Sequence, residues 1–162
     1  MVGGNSQELS GRRWISAVYT DAIALGDTHM GGDEDGIELA SRKFPFSPAL
    51  RVGDVVYVSG HLGIDLATGT GPEDVEEEVR MMMDGVRATL AGAGLVMDDL
   101  VSVDVFATDL ELFGRFNAVY LEYFSEPYPA RAFIGGSKLL FDRRFEVRGI
   151  ALVDGAAKKR RV

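Results

Sequence analysis

Apolar residues recur along this chain at two spacings, and the switches between them set an order of elements. Two short strand-like runs, 50–52 and 55–60, flank Gly53-Asp54, which reads as a hairpin turn. Val75, Val79, Met82, Met83, Val86 and Leu90 then fall at helical spacing and make one apolar stripe. Pro72 fits the first turn of that helix, Glu73, Asp74 and Glu76 suit its positive end, and Gly92 or Gly94 can end it. The run of three methionines at 81–83 reads as core filling. Residues 101–107 are strand-like. Thr108 or Asp109 can cap a second helix, with a stripe of Leu112, Phe113, Phe116, Val119, Tyr120, Tyr123 and Phe124. Pro127 and Pro129 stop it. Two more strands are predicted at about 130–136 and 144–153.

The order hairpin, helix, strand, helix, strand, strand predicts an α+β layer: a mixed sheet with two amphipathic helices on one face. The other face then needs cover, and packing between subunits is the natural way to supply it. Residues 1–36 read differently, as an arm rich in Gly, Asp, Ser and Thr, with one short strand possible within 14–19. Its Asp33, Glu34 and Asp35 lack the spaced ligands and closing Glu of a calcium loop and read as a solvated turn. The compact domain is expected over 37–153. A C-terminal tail, 154–162, carries Lys158-Lys159-Arg160-Arg161, which reads as a solvated, disordered run.

Composition narrows the function. A chain of 162 residues can bury a real core as one domain. The net charge of −8 repels phosphate backbones and argues against nucleic-acid binding. Without cysteine there is no thiolate catalysis and no sulfur-ligated zinc, and two scattered histidines, His29 and His61, do not make a metal site. No apolar run is long enough to cross a membrane and no basic-then-apolar leader is visible, so a cytoplasmic location is expected.

The candidate chemistry lies in the last two strands. Arg131 follows Pro129-Ala130 and opens an apolar stretch; Glu146 comes fifteen positions later in a second one. An arginine can grip a small carboxylate through two parallel hydrogen bonds, and a nearby glutamate can hold or activate a water. Two strands joined by a turn would bring these side chains together as a hydrolytic site. The plainer alternative is an ordinary cross-strand ion pair.

Read in order, the pieces resemble the reactive-intermediate deaminase (Rid, YjgF-type) family. They are Phe44-Pro45-Phe46-Ser47-Pro48-Ala49, Val52-Gly53-Asp54, Val56-Tyr57-Val58-Ser59-Gly60, the stretch from Leu90 to Leu95, and Asp98-Asp99-Leu100-Val101. Val105-Phe106-Ala107-Thr108-Asp109, Phe116-Asn117-Ala118-Val119-Tyr120, Pro129-Ala130-Arg131 and the Glu146 strand complete the set. The resemblance implies a chorismate-mutase-like fold and a homotrimer whose sheets form a barrel, with a site in each cleft between subunits. It implies cofactor-free hydrolysis of enamines and imines on a small-molecule carboxylate to a keto acid and ammonia. Arg131 matches the arginine that holds the substrate carboxylate, Glu146 the acid that positions water, and Ser59 the strand-end Ser-Gly motif lining the site.

This chain also departs from the pattern. Phe46 stands where the family often has tyrosine, so a hydroxyl is missing and an apolar ring favours a larger or less polar ligand. His61 replaces a usual glutamine and is either a proton shuttle or a satisfied structural histidine. Phe133 either narrows the pocket or packs. Arg148 replaces an acid; it shares a strand face with Glu146, where it would pair with it and lower its pKa, or serve as a second anion anchor. Tyr57 and Tyr128 are candidates for the missing hydroxyl. Two alternatives to the hydrolase therefore stand: an enzyme on the same scaffold acting on a larger apolar or aromatic acid, and a non-catalytic ligand-binding or chaperone-like module.

Overall fold

Gly53 adopts a φ of 60°, a left-handed conformation open to glycine without steric cost, and closes the first hairpin between Val52 and Val55. The computed structural model describes residues 14–15 and 45–158. Among the described residues six strands form one mixed sheet: β1 (Trp14–Ile15), β2 (Ala49–Val52), β3 (Val55–Leu62), β4 (Leu100–Ala107), β5 (Ala130–Gly135) and β6 (Phe145–Leu152). Their order is β1-β2-β3-β6-β4-β5. Every pairing is antiparallel except β4 with β5, which is parallel. The expected α+β class and mixed sheet are observed. Residues 16–19, His29, the acidic 33–35 turn and positions 159–161 lie outside the described residues.

Helix α1 (Val75–Gly92) and helix α2 (Phe113–Tyr120) bury their stripes against one face of the sheet. All six stripe residues expected of α1 are buried, and they meet Val56, Val58, Val103, Val105, Phe145 and Val147 from the strands. Each large aliphatic side chain so buried contributes about 1.5–3 kcal/mol. The α1 start differs from expectation. Asp74, not a residue nearer Pro72, is the cap, accepting from the Glu77 N–H at 3.0 Å. Pro72 stands outside the helix because its carbonyl accepts from Nη2 of Arg144 at 2.8 Å. Gly94, at φ 74°, ends the helix as expected, with the Leu95 N–H donating to the Leu90 carbonyl at 2.9 Å.

The tail also departs from expectation. Instead of running free from its start, it turns through a short α3 (Gly155–Lys158). The Ala156 N–H donates to Asp99 at 3.1 Å and Lys158 Nζ to the Val153 carbonyl at 2.8 Å. Gly155 permits this approach, since a Cβ there would lie 2.4 Å from the Asp99 carbonyl.

The face of the sheet away from α1 and α2 keeps large apolar side chains partly in solvent, among them Tyr57, Ile134 and Ile150. This open face and the free end of β3 position the candidate site.

Candidate functional site

Strand β3 carries an irregularity that builds the site. Its pairing with β6 shifts between Val58 and His61. One extra residue in a strand reverses the side on which the following side chains fall. Tyr57 and Ser59 therefore stay on the open face, while His61 turns under α1 and is only 3% exposed. There its Nε2 lies 2.9 Å from the Thr89 hydroxyl and its Nδ1 2.8 Å from the Ser59 carbonyl. Burial pushes its pKa below the usual histidine value, partly offset by the Ser59 carbonyl. Of the two readings offered for His61, this is the satisfied structural histidine.

Glu146 enters β6 between buried Phe145 and buried Val147, so strand alternation directs it to the open face. It pairs in register with Leu62 on one side and Phe106 on the other. Gly60 gives it room, since a Cβ at that position would sit 2.0 Å from Glu146 Oε1. Burial raises the pKa of its carboxyl above the ordinary value of 4.5. Of the two roles open to Arg148, pairing with Glu146 is not what forms. Arg148 instead binds Asp104 across the strands at 3.0 Å, because Asp104 lies directly opposite it in register. Glu146 is thus left with the environment that raises its pKa.

A cavity of about 1260 Å³ joins these groups. β2 pairs with β3 only along Val55–Val58, and the cavity passes beyond that stretch from the open face, along residues 59–62, to the flank of α1. Phe46, Ser59, His61, Glu146 and Arg148, all singled out from the sequence, line it. The Ser59 hydroxyl donates to the Ser47 carbonyl at 2.6 Å and so holds the segment carrying Phe46 against β3. Met81 also lines the cavity, which corrects the reading of the whole methionine run as core: only Met82 and Met83 are buried.

Arg131 is elsewhere. β4 lies between β5 and β6, so the two strands joined by the last loop are not neighbours. Arg131 pairs with Val103 and Glu146 with Phe106, three positions apart on β4, which puts the two side chains on opposite faces. The expectation that a simple turn would bring them together within one chain is therefore overturned. The Arg131 guanidinium lies 4.4 Å from the centre of the Tyr120 ring, with Phe113 and Phe116 at 5.6 and 5.9 Å. Burial pushes the Tyr120 hydroxyl up to about 12, with the positive charge of Arg131 acting against it. Phe133 belongs to this second group: its ring packs edge-on against Phe113 and Phe116 at 5.0 and 5.2 Å, away from Glu146. Tyr128 is exposed and does not line the cavity.

Two contributors were not foreseen. Leu140 and Phe141 lie in the β5–β6 loop and help line the cavity, and a further space of about 410 Å³ lies between residues 138–142 and Glu146. Phe141 and Asp142 take φ values of 56° and 51°, a left-handed conformation that costs an ordinary residue about 1–2 kcal/mol. The signal available in the sequence was a run of three large apolar residues, Leu139-Leu140-Phe141, inside a turn otherwise rich in charge. The second is Glu78, which sits on the apolar stripe of α1 and is fully buried. It accepts from the Arg144 N–H at 2.8 Å and from Arg144 Nε at 2.7 Å, anchoring the residues just before Glu146. Among the described residues no group of three His, Asp or Glu side chains is placed to hold a metal ion, and no helix is long and apolar enough to cross a membrane.

The family model described as Endoribonuclease L-PSP matches residues 39–153. The chain belongs to this family, the Rid/YjgF family. A RutC family protein of Pyrococcus abyssi is 37% identical over 108 residues, covering 66% of this chain and 85% of that protein. A protein of Dermatophagoides farinae named 2-iminobutanoate/2-iminopropanoate deaminase is 32% identical over 113 residues, covering 68% of this chain and 87% of its own length. The crystal structure of Escherichia coli TdcF with bound serine superposes with a TM-score of 0.65 at 31% identity, covering 69% of this chain and 91% of that one. The Rid-family match includes Phe46, Ser59, Arg131 and Glu146, while the arm before residue 39 lies outside it.

Proposed function

We propose that this protein hydrolyses an imine or enamine carried on a small carboxylic acid to a keto acid and ammonia, without a cofactor. The observation that carries the reading is the Glu146 carboxyl, seated over Gly60 in a largely apolar cavity with its pKa raised by burial. A carboxylate of raised pKa is a better base. In the reaction, water attacks the electrophilic imine carbon while Glu146 takes one of its protons. Glu146 returns that proton to the imine nitrogen, which gives a neutral carbinolamine, and then carries the hydroxyl proton to the amine nitrogen, so that the C–N bond breaks as the C=O bond forms and ammonia leaves. The relative named for 2-iminobutanoate and 2-iminopropanoate, and the fold neighbour solved with serine, support a ligand built as a small nitrogen-bearing acid.

Arg131 is the proposed carboxylate anchor, and this has a structural consequence. Since Arg131 and Glu146 occupy opposite faces of one sheet, the site needs Arg131 of one copy to meet Glu146 of another. The partly apolar open face, with Tyr57, Ile134 and Ile150, favours such self-association, and a closed ring of three copies whose sheets form a barrel meets both needs. The charge of −8 argues against RNA as substrate despite the family description.

The test supplies 2-imino acids generated in place by an amino-acid oxidase and follows their disappearance against a nucleophilic trap. The expected result is accelerated decay, lost in both Glu146→Gln and Arg131→Ala. Decay no faster than in buffer would refute the reading.

A further inference from the structure

The β5–β6 loop holds its strained shape through one residue. Arg143 donates its backbone N–H to the Leu140 carbonyl at 3.2 Å and its Nε to the Phe141 carbonyl at 3.0 Å, clamping the two left-handed residues between them. A phenylalanine in that conformation persists only where its surroundings impose it. The effect is to present Leu140 and Phe141 together toward Glu146, with Leu140 still 67% exposed. Leu139, Leu140 and Phe141 are the large apolar residues of a loop otherwise made of charged and small ones, and of the three Leu140 is the most exposed. Phe46 lines the same cavity.

We infer that Leu140 and Phe141, together with Phe46, form a side-chain subsite that selects 2-imino acids bearing an aromatic or branched aliphatic group over those bearing a methyl group. This rests on the reading of Glu146 as the hydrolytic carboxyl: the imine carbon sits at Glu146 and the side chain extends toward the loop. Recognition is by apolar contact, where one methylene is worth about 10–200-fold in specificity. The subsite therefore acts on the kcat/KM ratio between substrates.

The experiment has two arms. In the first, imines generated from phenylalanine, leucine and alanine are compared; the expected kcat/KM favours the first two by at least about tenfold. Phe141→Gly and Leu140→Ala should shrink that ratio at least about fivefold. Glycine relieves the left-handed residue and Leu140 is already exposed, so both variants should fold, which circular dichroism checks. In the second arm, calorimetry compares phenylpyruvate with pyruvate, stable ligands that need no turnover; tighter phenylpyruvate binding, lost in both variants, is expected. Turnover without preference in either arm overturns the subsite and leaves the hydrolase standing. Preference in binding with no turnover of any imine overturns the hydrolase and leaves the subsite. Equal losses for large and small ligands in the variants would also overturn the subsite.

Discussion

Glu146 and Gly60 share one space: the carboxyl of the first occupies the volume that any side chain on the second would need, with a Cβ at position 60 falling 2.0 Å from Oε1. Gly60 is not in a left-handed conformation, so its role is clearance. Gly60→Ala should leave the backbone undisturbed and swing the flexible Glu146 side chain aside. A displacement of about 1 Å in a catalytic group costs on the order of 100-fold. The expected outcome is a kcat/KM for imine hydrolysis lower by that order with a thermal midpoint close to the parent's, measured side by side.

The Arg131 guanidinium sits 4.4 Å from the centre of the Tyr120 ring, and that contact constrains what can replace it. Lysine keeps the charge but loses the planar fork and its two parallel hydrogen bonds. Arg131→Lys should therefore raise KM for carboxylate substrates strongly while changing stability by no more than about 1 kcal/mol, the worth of the cation–π contact. Steady-state kinetics with a urea titration separates the two effects. A variant with parental KM would remove Arg131 as the carboxylate anchor.

The raised pKa of Glu146 fixes the direction of two pH effects. As a base it works only when ionised, so the acid limb of kcat/KM should have its midpoint above the ordinary 4.5 and vanish in Glu146→Gln along with the activity. For stability the sign is opposite to that of a salt-bridged acid. The native state disfavours the charged form, so nothing is lost below the unfolded pKa and stability falls as pH rises through the folded one. Glu146→Gln should accordingly match the parent at pH 4 and exceed it at pH 8 in thermal midpoint.

What the sequence made legible follows from what is local. The stripes of α1 and α2, the Gly53 hairpin and the Gly94 stop depend on periodicity and backbone freedom, and they are found where expected. The separation of Arg131 from Glu146 depends on β4 inserting between their strands, a long-range pairing that no local pattern encodes. The bulge that turns His61 inward is one residue in an otherwise regular strand, and alternation alone would put His61 on the open face with Tyr57 and Ser59. A shared strand face left Arg148 open to Glu146 or to an anion, but the residue opposite it, Asp104, decides the pair.

His61 offers a test of the structural reading. Its pKa is lowered by burial, so the native state holds it neutral near pH 7. As pH falls through about 6.5, the unfolded chain takes the proton first and stability declines until the lower folded pKa is reached. His61→Gln keeps a polar partner for Thr89 and cannot titrate. The parent should lose stability between pH 7 and pH 5 more steeply than the variant in urea unfolding, with hydrolysis retained in both. Loss of turnover with intact stability would return His61 to the chemistry as a proton shuttle.

Glu78 carries the heaviest structural consequence. Fully buried, it binds the backbone and guanidinium of Arg144, whose own Nη1 and Nη2 reach the carbonyls of Glu73 and Pro72 at 2.6 and 2.8 Å. One carboxylate thus ties the start of α1 to the start of β6, immediately before Glu146. Removing one partner of a buried ion pair typically costs about 3–5 kcal/mol, because the other is left without compensation. Arg144 retains partial solvent access, which places Glu78→Ala near the lower end of that range, about 3 kcal/mol. Glu78→Gln can still accept from the backbone N–H groups and should lose only about 1–2 kcal/mol. Denaturant midpoints measure both. If alanine and glutamine destabilise equally, the backbone hydrogen bonds contribute nothing and the anchoring of Glu146 through this carboxylate is wrong.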